Sequence, residues 1–512
     1  MKNKLNRTIY RIILIASFLV INGLIISGIG AVFSYLNTGA DKASILNLEV
    51  PLEKVYTPKV IWSNLENPGR PIEKQTLQEI ERDYLKAWHV RNIALKDNDR
   101  YGISDFYTDS ARLRIFEHID FNIKNDTYIK ATTLKHNLEL DFYSEDGTLV
   151  VFKDKNVERY QETYYKDSLF FCHKDTLNYQ LMMLLEDGFW RIRHLQQMEV
   201  KKRNSKKAER NIDSILQTIN RLKGINYYPK NTPWDTFGKH YNDSIINNDF
   251  EVIEAMNLNT IRVFVQYEDF GKADVVLEKL NRLKETLDIA EKHGLKVIVT
   301  LFDFYGDYDV INWTLTQRHA ETIIGALKNH QALLGWDLKN EPDLDFDSRG
   351  KQRVLSWLKE MIEKIKEWDP NHPVTIGWSS PETAIHLADK VDFVSYHFYR
   401  KPKEFIDAHN TLKSEVKNKP IVLQEYGYSS YDGFWNLYLG SDDKQTAYYR
   451  NMQKVLLDNK VPFLFWTLYD FEEVPTEVAG SLPWRTRKQH YFGLFDTENR
   501  QKPAYQVLAQ EK

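Results

Sequence analysis

Two glutamates stand where apolar runs stop: Glu341 in "GWDLKNEPD", residues 335 to 343, and Glu425 in "PIVLQEYG", residues 420 to 427. Pro342 cannot donate to a β-ladder, so it ends the preceding strand and leaves Glu341 at that strand's C-terminal rim. A carboxyl at the end of an apolar run is costly to bury without a partner, which makes both acids candidates for chemistry rather than packing. Paired carboxyls can hold a divalent cation, given more oxygen or imidazole ligands, or can act alone as a proton donor and a nucleophile. No HExxH pattern or Asp-rich cluster accompanies them, and no GxGxxG or Walker pattern occurs. Neither a metal nor a cofactor is therefore expected.

The elements that must position these residues are legible from Lys223 onward. Eight apolar strand candidates follow one another: "GINYY", "TIRVFVQ", "LKVIVTLFD", "LLGWDLKN", "PVTIGW", "DFVSYHFY", "PIVLQEY" and "PFLFWTLYD". Amphipathic helical stretches separate most of them, for example "DVVLEKLNRLKETLDIAEKHG" and "RVLSWLKEMIEKIKEWDP", which end at Gly and Pro. Eight βα units predict an α/β chain with a (β/α)8 TIM barrel over residues 222 to 512. In such a barrel the chemistry lies at the strands' C-terminal ends, and polar residues gather there: Arg262, Asp303, Asn340 with Glu341, His397 with Tyr399, Glu425 and Trp466. Strands four and seven lie on opposing sides, so Glu341 and Glu425 are expected to face each other across the mouth. A two-carboxylate cleavage of a glycosidic bond needs only such an acid and nucleophile. Asn340 would hold a sugar 2-hydroxyl, Arg262 and Tyr399 would orient Glu425 as a carboxylate, and Trp466 would offer a stacking floor.

This constellation resembles the clan A retaining glycoside hydrolases, most closely the family 5 cellulase-like enzymes and the catalytic barrel of family 2. The resemblance spans roughly residues 220 to 510 and rests on the NEP motif, on His397-Phe398-Tyr399, on "IVLQEYG", on Trp466, on "NDFEVIEAMNLNTIRVF" and on the closing "GLFDTENRQKPAYQVL". It implies Glu341 as general acid/base and Glu425 as the nucleophile of a double displacement that retains configuration. It also implies a β-linked glucan- or mannan-like polysaccharide as substrate, with Arg262, Asp303, Asn340, His397, Tyr399 and Trp466 lining the site. Asp303 stands where family 5 often has a histidine, which bears on sugar preference. The same covalent intermediate serves a transglycosylase equally well. A non-catalytic glycan-binding or polysaccharide-assembly protein of the cell envelope is the alternative from another class.

The remainder of the chain places this barrel. Of 512 residues, 42% are hydrophobic and 13% aromatic, and 69 basic residues against 72 acidic ones leave a net charge of −3, so no nucleic-acid partner is indicated. Cys172 is the only cysteine, which excludes an internal disulfide and a Cys-based metal site. Lys2, Lys4, Arg7 and Arg11 form a basic tail, residues 1 to 11, before the chargeless run "IILIASFLVINGLIISGIGAVF", residues 12 to 33. That run is long enough to span a hydrocarbon core of about 30 Å, and the basic flank favours the cytoplasm. A single-pass anchor with the barrel facing the periplasm or cell exterior is expected, with a long cleavable signal as the alternative. Residues 34 to 73, containing "NPGRP", read as a linker, and residues 74 to 200 as a small α+β domain, helices first and strands afterwards. Its layout and its closing "DGFWRIRHL" strand resemble the NTF2-like cone fold. Residues 201 to 221, opening on "KKRNSKKAER", read as a hinge entering a helix. Nothing in the sequence indicates an oligomeric state.

Overall fold

The computed structural model describes residues 56–198 and 210–509. The segment expected to anchor the chain, residues 12 to 33, lies outside the described residues, and no helix among the described residues is long and apolar enough to cross a membrane.

The first domain is one five-stranded sheet in the order β1-β2-β3-β4-β5, against which helices pack. After β1 (Lys59–Asn64) come helices α1 (Lys74–Asp97), α2 (Ile103–Phe106) and α3 (Asp109–Lys124). An antiparallel meander follows, of β2 (Thr127–Tyr143), β3 (Leu149–Tyr165), β4 (Ser168–Glu186) and β5 (Phe189–Met198). The helix α1 packs against β2 and β5, and its buried Tyr84 and Trp88 meet Leu138, Phe152 and Trp190 from the sheet in one apolar core. The linker reading of residues 34 to 73 extended too far. Residues 59 to 64 run parallel to β2 with Lys59 opposite Lys135 and Trp62 opposite Leu138, and the Trp62 indole donates to Glu81 at 2.9 Å. A short, half-exposed edge strand with turn residues close behind it has too little periodicity to stand out in the sequence.

The second domain is a closed parallel barrel. Its strands are β6 (Lys223–Asn226), β7 (Thr260–Gln266), β8 (Lys296–Asp303), β9 (Leu333–Asn340), β10 (Val374–Trp378), β11 (Val394–His397), β12 (Ile421–Glu425) and β13 (Phe463–Phe465), which pairs back onto β6. All eight are the runs predicted above. The helices are α4 (Asp213–Ile219) ahead of the barrel, then α5 (Asp243–Ala255), α6 (Leu277–Lys292), α7 (Trp313–Leu327), α8 (Lys351–Trp368), α9 (Pro402–Glu415), α10 (Asp442–Asp458), α11 (Thr476–Ala479), α12 (Pro483–Gln489) and α13 (Pro503–Ala509). Local chemistry sets their ends: Asn242 and Ser441 cap α5 and α10 by accepting from the N–H of Ile245 and Lys444, and Gly294 takes a left-handed φ of 68° just past α6.

Of the segment read as a hinge entering a helix, residues 201 to 221, the part from Arg210 is described, and α4 is its helix. Arg210 is held by Asp392 at 2.7 Å and by the His372 carbonyl at 2.5 Å. Ile219 and Leu222 pack on Ile298, Leu334, Phe393, Val422 and Leu464, so this segment plugs one end of the barrel. With that end sealed by apolar side chains, the polar interior opens only at the other.

The two domains touch along α7 and α8. Tyr160 of β3 lies 4.3 Å from Trp313 between ring centroids, Lys174 reaches Glu360 at 2.6 Å, Lys364 reaches Glu158 at 2.7 Å, and Lys59 pairs with Glu321.

Candidate active site

The site is built upward from a buried arginine. Arg262, on β7, is fully buried, and an uncompensated guanidinium there would be prohibitive. Asp337, one turn of pleat below the NEP motif on β9, compensates it: Nε and Nη2 of Arg262 donate to its Oδ2 at 2.9 and 2.5 Å. The same carboxylate accepts from the Thr300 hydroxyl at 2.8 Å and from the Gly377 N–H at 2.9 Å. Burial alone would depress the Arg262 pKa, but the charges of Asp337 and Glu425 outweigh it and raise that pKa above the ordinary value. The guanidinium's remaining donors point upward, to Asn226 Oδ1 at 3.1 Å, Asn340 Oδ1 at 2.9 Å and Glu425 Oε2 at 3.4 Å.

Glu425 is thereby held from below, and the Tyr399 hydroxyl holds it from the side, donating to Oε1 at 2.5 Å. Burial of that hydroxyl, with the Glu425 charge beside it, pushes the Tyr399 pKa well up, so it stays a donor. Glu341 arrives from the end of β9, three strands around the barrel from β12. Its backbone is left-handed, φ 47° and ψ 52°, a strained state for a residue with a side chain. Its N–H is tied to the Gly377 carbonyl at 2.6 Å. The His397 ring, fully buried, places Nδ1 2.9 Å from Glu341 Oε1 and 3.9 Å from Glu425 Oε1. Burial disfavours its charge, yet the two carboxylates prevail and its pKa is raised. Oxygens of Glu341 and Glu425 and a nitrogen of His397 all lie within 4.8 Å of one another.

One wall of the mouth is aromatic. Trp466 packs with Tyr228, Phe264, Phe471 and Phe492, and the Tyr228 hydroxyl donates to Asp303 Oδ2 at 3.3 Å. The sequence-predicted residues Arg262, Asn340, Glu341, His397, Tyr399 and Glu425 thus share one hydrogen-bonded cluster, with Asp303 and Trp466 on the neighbouring wall. Arg262 has its donors committed within the protein and positions Glu425 and Asn340. Asn340 gives its oxygen to Arg262, which leaves its amide N–H groups for the mouth.

Sequence reading missed Asp337, Asn226, Tyr228 and Gly377. An acid inside the apolar run of "GWDLKN" was the available signal for Asp337. Gly377 has a purely spatial reason: a Cβ there would stand 2.5 Å from Gln424 Oε1 and 2.8 Å from Arg262 Nη2. The three donors around Glu341, His397 and Glu425 match a metal site in number, but Arg262 and Tyr399 already engage Glu425, and a guanidinium 3.4 Å away opposes a cation.

Residues 222–472 match the family model described as Cellulase (glycosyl hydrolase family 5). That match covers the barrel domain and just under half of the chain. Among curated relatives, a "Beta-glucuronidase" of Chlorocebus aethiops is 27% identical over 290 residues, covering 50% of this chain and 40% of that one. A "Putative mannan endo-1,4-beta-mannosidase 4" of Arabidopsis thaliana is 25% identical over 230 residues, covering 36% and 53%. "Mannan endo-1,4-beta-mannosidase A" of Emericella nidulans is 24% identical over 261 residues, covering 40% and 67%. The chain spans about half the length of the curated relatives it matches.

Proposed function

We propose that this protein is a retaining β-glycoside hydrolase that acts on a glucan- or mannan-like polysaccharide by double displacement. The observation that carries the reading is the closeness of the two carboxyls, one oxygen of each lying within 4.8 Å of the other. Retaining enzymes hold their carboxyls about 5–5.5 Å apart, whereas inverting ones leave about 6.5–9.5 Å for a water.

In this mechanism Glu425 Oε2 or Oε1 attacks the anomeric carbon while Glu341 gives its proton to the departing glycosidic oxygen. Glu341 then takes a proton from water, and the hydroxide so formed releases the sugar from Glu425. Arg262 and Tyr399 fix the attacking carboxylate before substrate arrives, so no reorganisation is needed at the moment of attack. His397 bridges the two acids and steers Glu341. The Asn340 amide suits a sugar 2-hydroxyl, and the Trp466 wall suits the apolar face of a ring.

We further propose, from residues 12 to 33 and the basic tail before them, that the chain is anchored in a membrane with the barrel outside the cytoplasm. The small domain reads as NTF2-like, a reading supported by α1 lying across a five-stranded sheet. The names of the relatives make β-mannan the first polymer to try. Hydrolysis of β-glucans, β-mannans and aryl β-glycosides by residues 41 to 512, with Glu425→Gln as control, tests the reading. Turnover by the wild type alone supports it. Equal turnover by both overturns the roles, and polymer binding without turnover favours the non-catalytic assembly protein.

A further inference from the structure

Just below the rim, three adjacent strands bring together buried polar groups that the displacement itself does not use. Gln424, which precedes Glu425 on β12, and His397, at the end of β11, are both fully buried. Among the described residues, no group pairs with the amide oxygen or nitrogen of Gln424 or with Nε2 of His397. A buried donor or acceptor left unpaired is costly, so what stands next to these atoms matters. Gly377, on the neighbouring β10, shows that they converge. The point at which a Cβ would stand on Gly377 is 2.5 Å from Gln424 Oε1, 2.8 Å from Arg262 Nη2 and 3.3 Å from His397 Nε2. The amide is therefore within reach of Nε2 by a small turn of its side chain or across one buried water. The Arg262 guanidinium also decides which end of the amide faces inward: a cation so close favours the oxygen and opposes the NH2 group.

We propose that Gln424 is a positioning residue: its amide oxygen accepts from Nε2–H of His397, directly or across that water, and so keeps the ring protonated at both nitrogens between the two carboxyls. The proposal deepens the glycosidase reading and rests on it for the roles of Glu341 and Glu425.

With Nε2–H held from below, Nδ1 is left for the acids, 2.9 Å from Glu341 Oε1 and 3.9 Å from Glu425 Oε1. The imidazolium then faces whichever carboxyl is ionised. Before attack that is Glu425. Once Glu425 carries the sugar as an ester and Glu341 has given its proton to the leaving oxygen, it is Glu341. One fixed positive charge thus serves both half-reactions without moving.

The groups around the ring are consistent with that charge. Burial opposes it, but Glu425 from β12 and Glu341 from the end of β9 outweigh burial and raise the His397 pKa. Arg262 from β7 works against the imidazolium, and its own charge is offset by Asp337 at 2.5 Å. Tyr399, two residues further on, gives its hydroxyl to Glu425 rather than to the ring. An acceptor at Nε2 adds to the favourable side, because a hydrogen bond made by the charged form stabilises that form.

The test follows the His397 ring by NMR in the full chain labelled with nitrogen-15 histidine, its signals identified by their loss in His397→Gln. In the wild type both ring nitrogens should carry protons at pH 7. Gln424→Met keeps the length of the side chain and removes the amide acceptor, and should lower the His397 titration midpoint by about one to two pH units, the worth of a hydrogen bond to a charged group. Gln424→Glu, which returns an oxygen to that place, should hold the midpoint at or above the wild-type value. The alkaline limb of kcat/KM on an aryl β-glycoside should move down by the same amount in Gln424→Met and not in Gln424→Glu. A neutral ring in the wild type at pH 7, an unmoved midpoint in Gln424→Met, or a lowered one in Gln424→Glu overturns the proposal. Circular dichroism checks the fold, and should Gln424→Met not fold, the wild-type ring and Gln424→Glu decide the matter. The ring titration needs no turnover. A doubly protonated, Gln424-dependent His397 in a chain that cleaves nothing would sink the glycosidase reading and leave this arrangement standing, whereas Glu425-dependent hydrolysis with a His397 indifferent to Gln424 would do the reverse.

Discussion

Asp337→Asn isolates the buried support of the site. The wild-type carboxylate is fully buried and accepts four hydrogen bonds, three at Oδ2 from Arg262 Nε, Arg262 Nη2 and Thr300, and one at Oδ1 from the Gly377 N–H. An asparagine can keep its oxygen toward Arg262 only by turning its NH2 onto the Gly377 N–H. One buried donor is then unpaired, at a cost of about 1–3 kcal/mol. The Arg262 charge also loses its main counter-ion, and breaking a buried pair by removing one partner costs about 3–5 kcal/mol in total. Because Glu425 remains 3.4 Å from Nη1, the lower part of that range applies, about 3 kcal/mol. Urea unfolding followed by tryptophan fluorescence measures this, with kcat/KM on a cleaved substrate read alongside. Activity should fall too, since Arg262 will be drawn toward Glu425 and away from Asn340. The double variant Arg262→Met/Asp337→Leu, which removes both charges, should recover much of the stability but not the activity. Stability of Asp337→Asn within about 1 kcal/mol of wild type, with unchanged activity, would refute the claim that this pair carries the site.

Other perturbations have equally definite outcomes. Tyr399→Phe removes a bond to an ionised group worth about 1.5–3 kcal/mol, so kcat/KM should drop about ten- to hundredfold with the unfolding midpoint nearly unchanged; full activity would remove Tyr399 from the machinery. Gly377→Ala forces a methyl against Gln424 and Arg262 and should destabilise the barrel by about 1–3 kcal/mol; an unchanged urea midpoint would show the space is freer than described. His319 is buried with its Nδ1 2.9 Å from the Lys272 carbonyl, and burial lowers its pKa to about 4. The folded chain then binds fewer protons than the unfolded one, so this stability is full above about pH 6.5 and is lost as pH falls toward 4, up to about 3 kcal/mol. His319→Gln should show that much less acid destabilisation than wild type between pH 7 and 4; parallel stability curves would contradict a neutral His319.

The barrel was legible because each strand is an apolar run buried on both faces, and each helix an amphipathic period with a stop. The rim acids were legible because Pro342 fixes where one strand ends and because Glu425 ends a run with no other polar reason to be there. What escaped notice depends on three dimensions. Asp337 pairs with a residue 75 positions away, Gly377 matters for the volume it does not fill, and Asn226 lies on a strand whose polar face only barrel closure reveals. The strand at residues 59 to 64 was hidden for another reason: an edge strand needs one partner and buries little, so its composition resembles a linker's.

The chemistry proposed for the barrel mouth is a covalent displacement at Glu425 assisted by Glu341. The most direct test is to follow the anomeric protons of the first product by NMR during hydrolysis of a β-linked substrate by residues 41 to 512, before mutarotation blurs them. Carboxyl oxygens within 4.8 Å predict that the β-anomer appears first and that Glu425→Gln produces none. Initial release of the α-anomer, or β-anomer release undiminished in Glu425→Gln, would contradict the account.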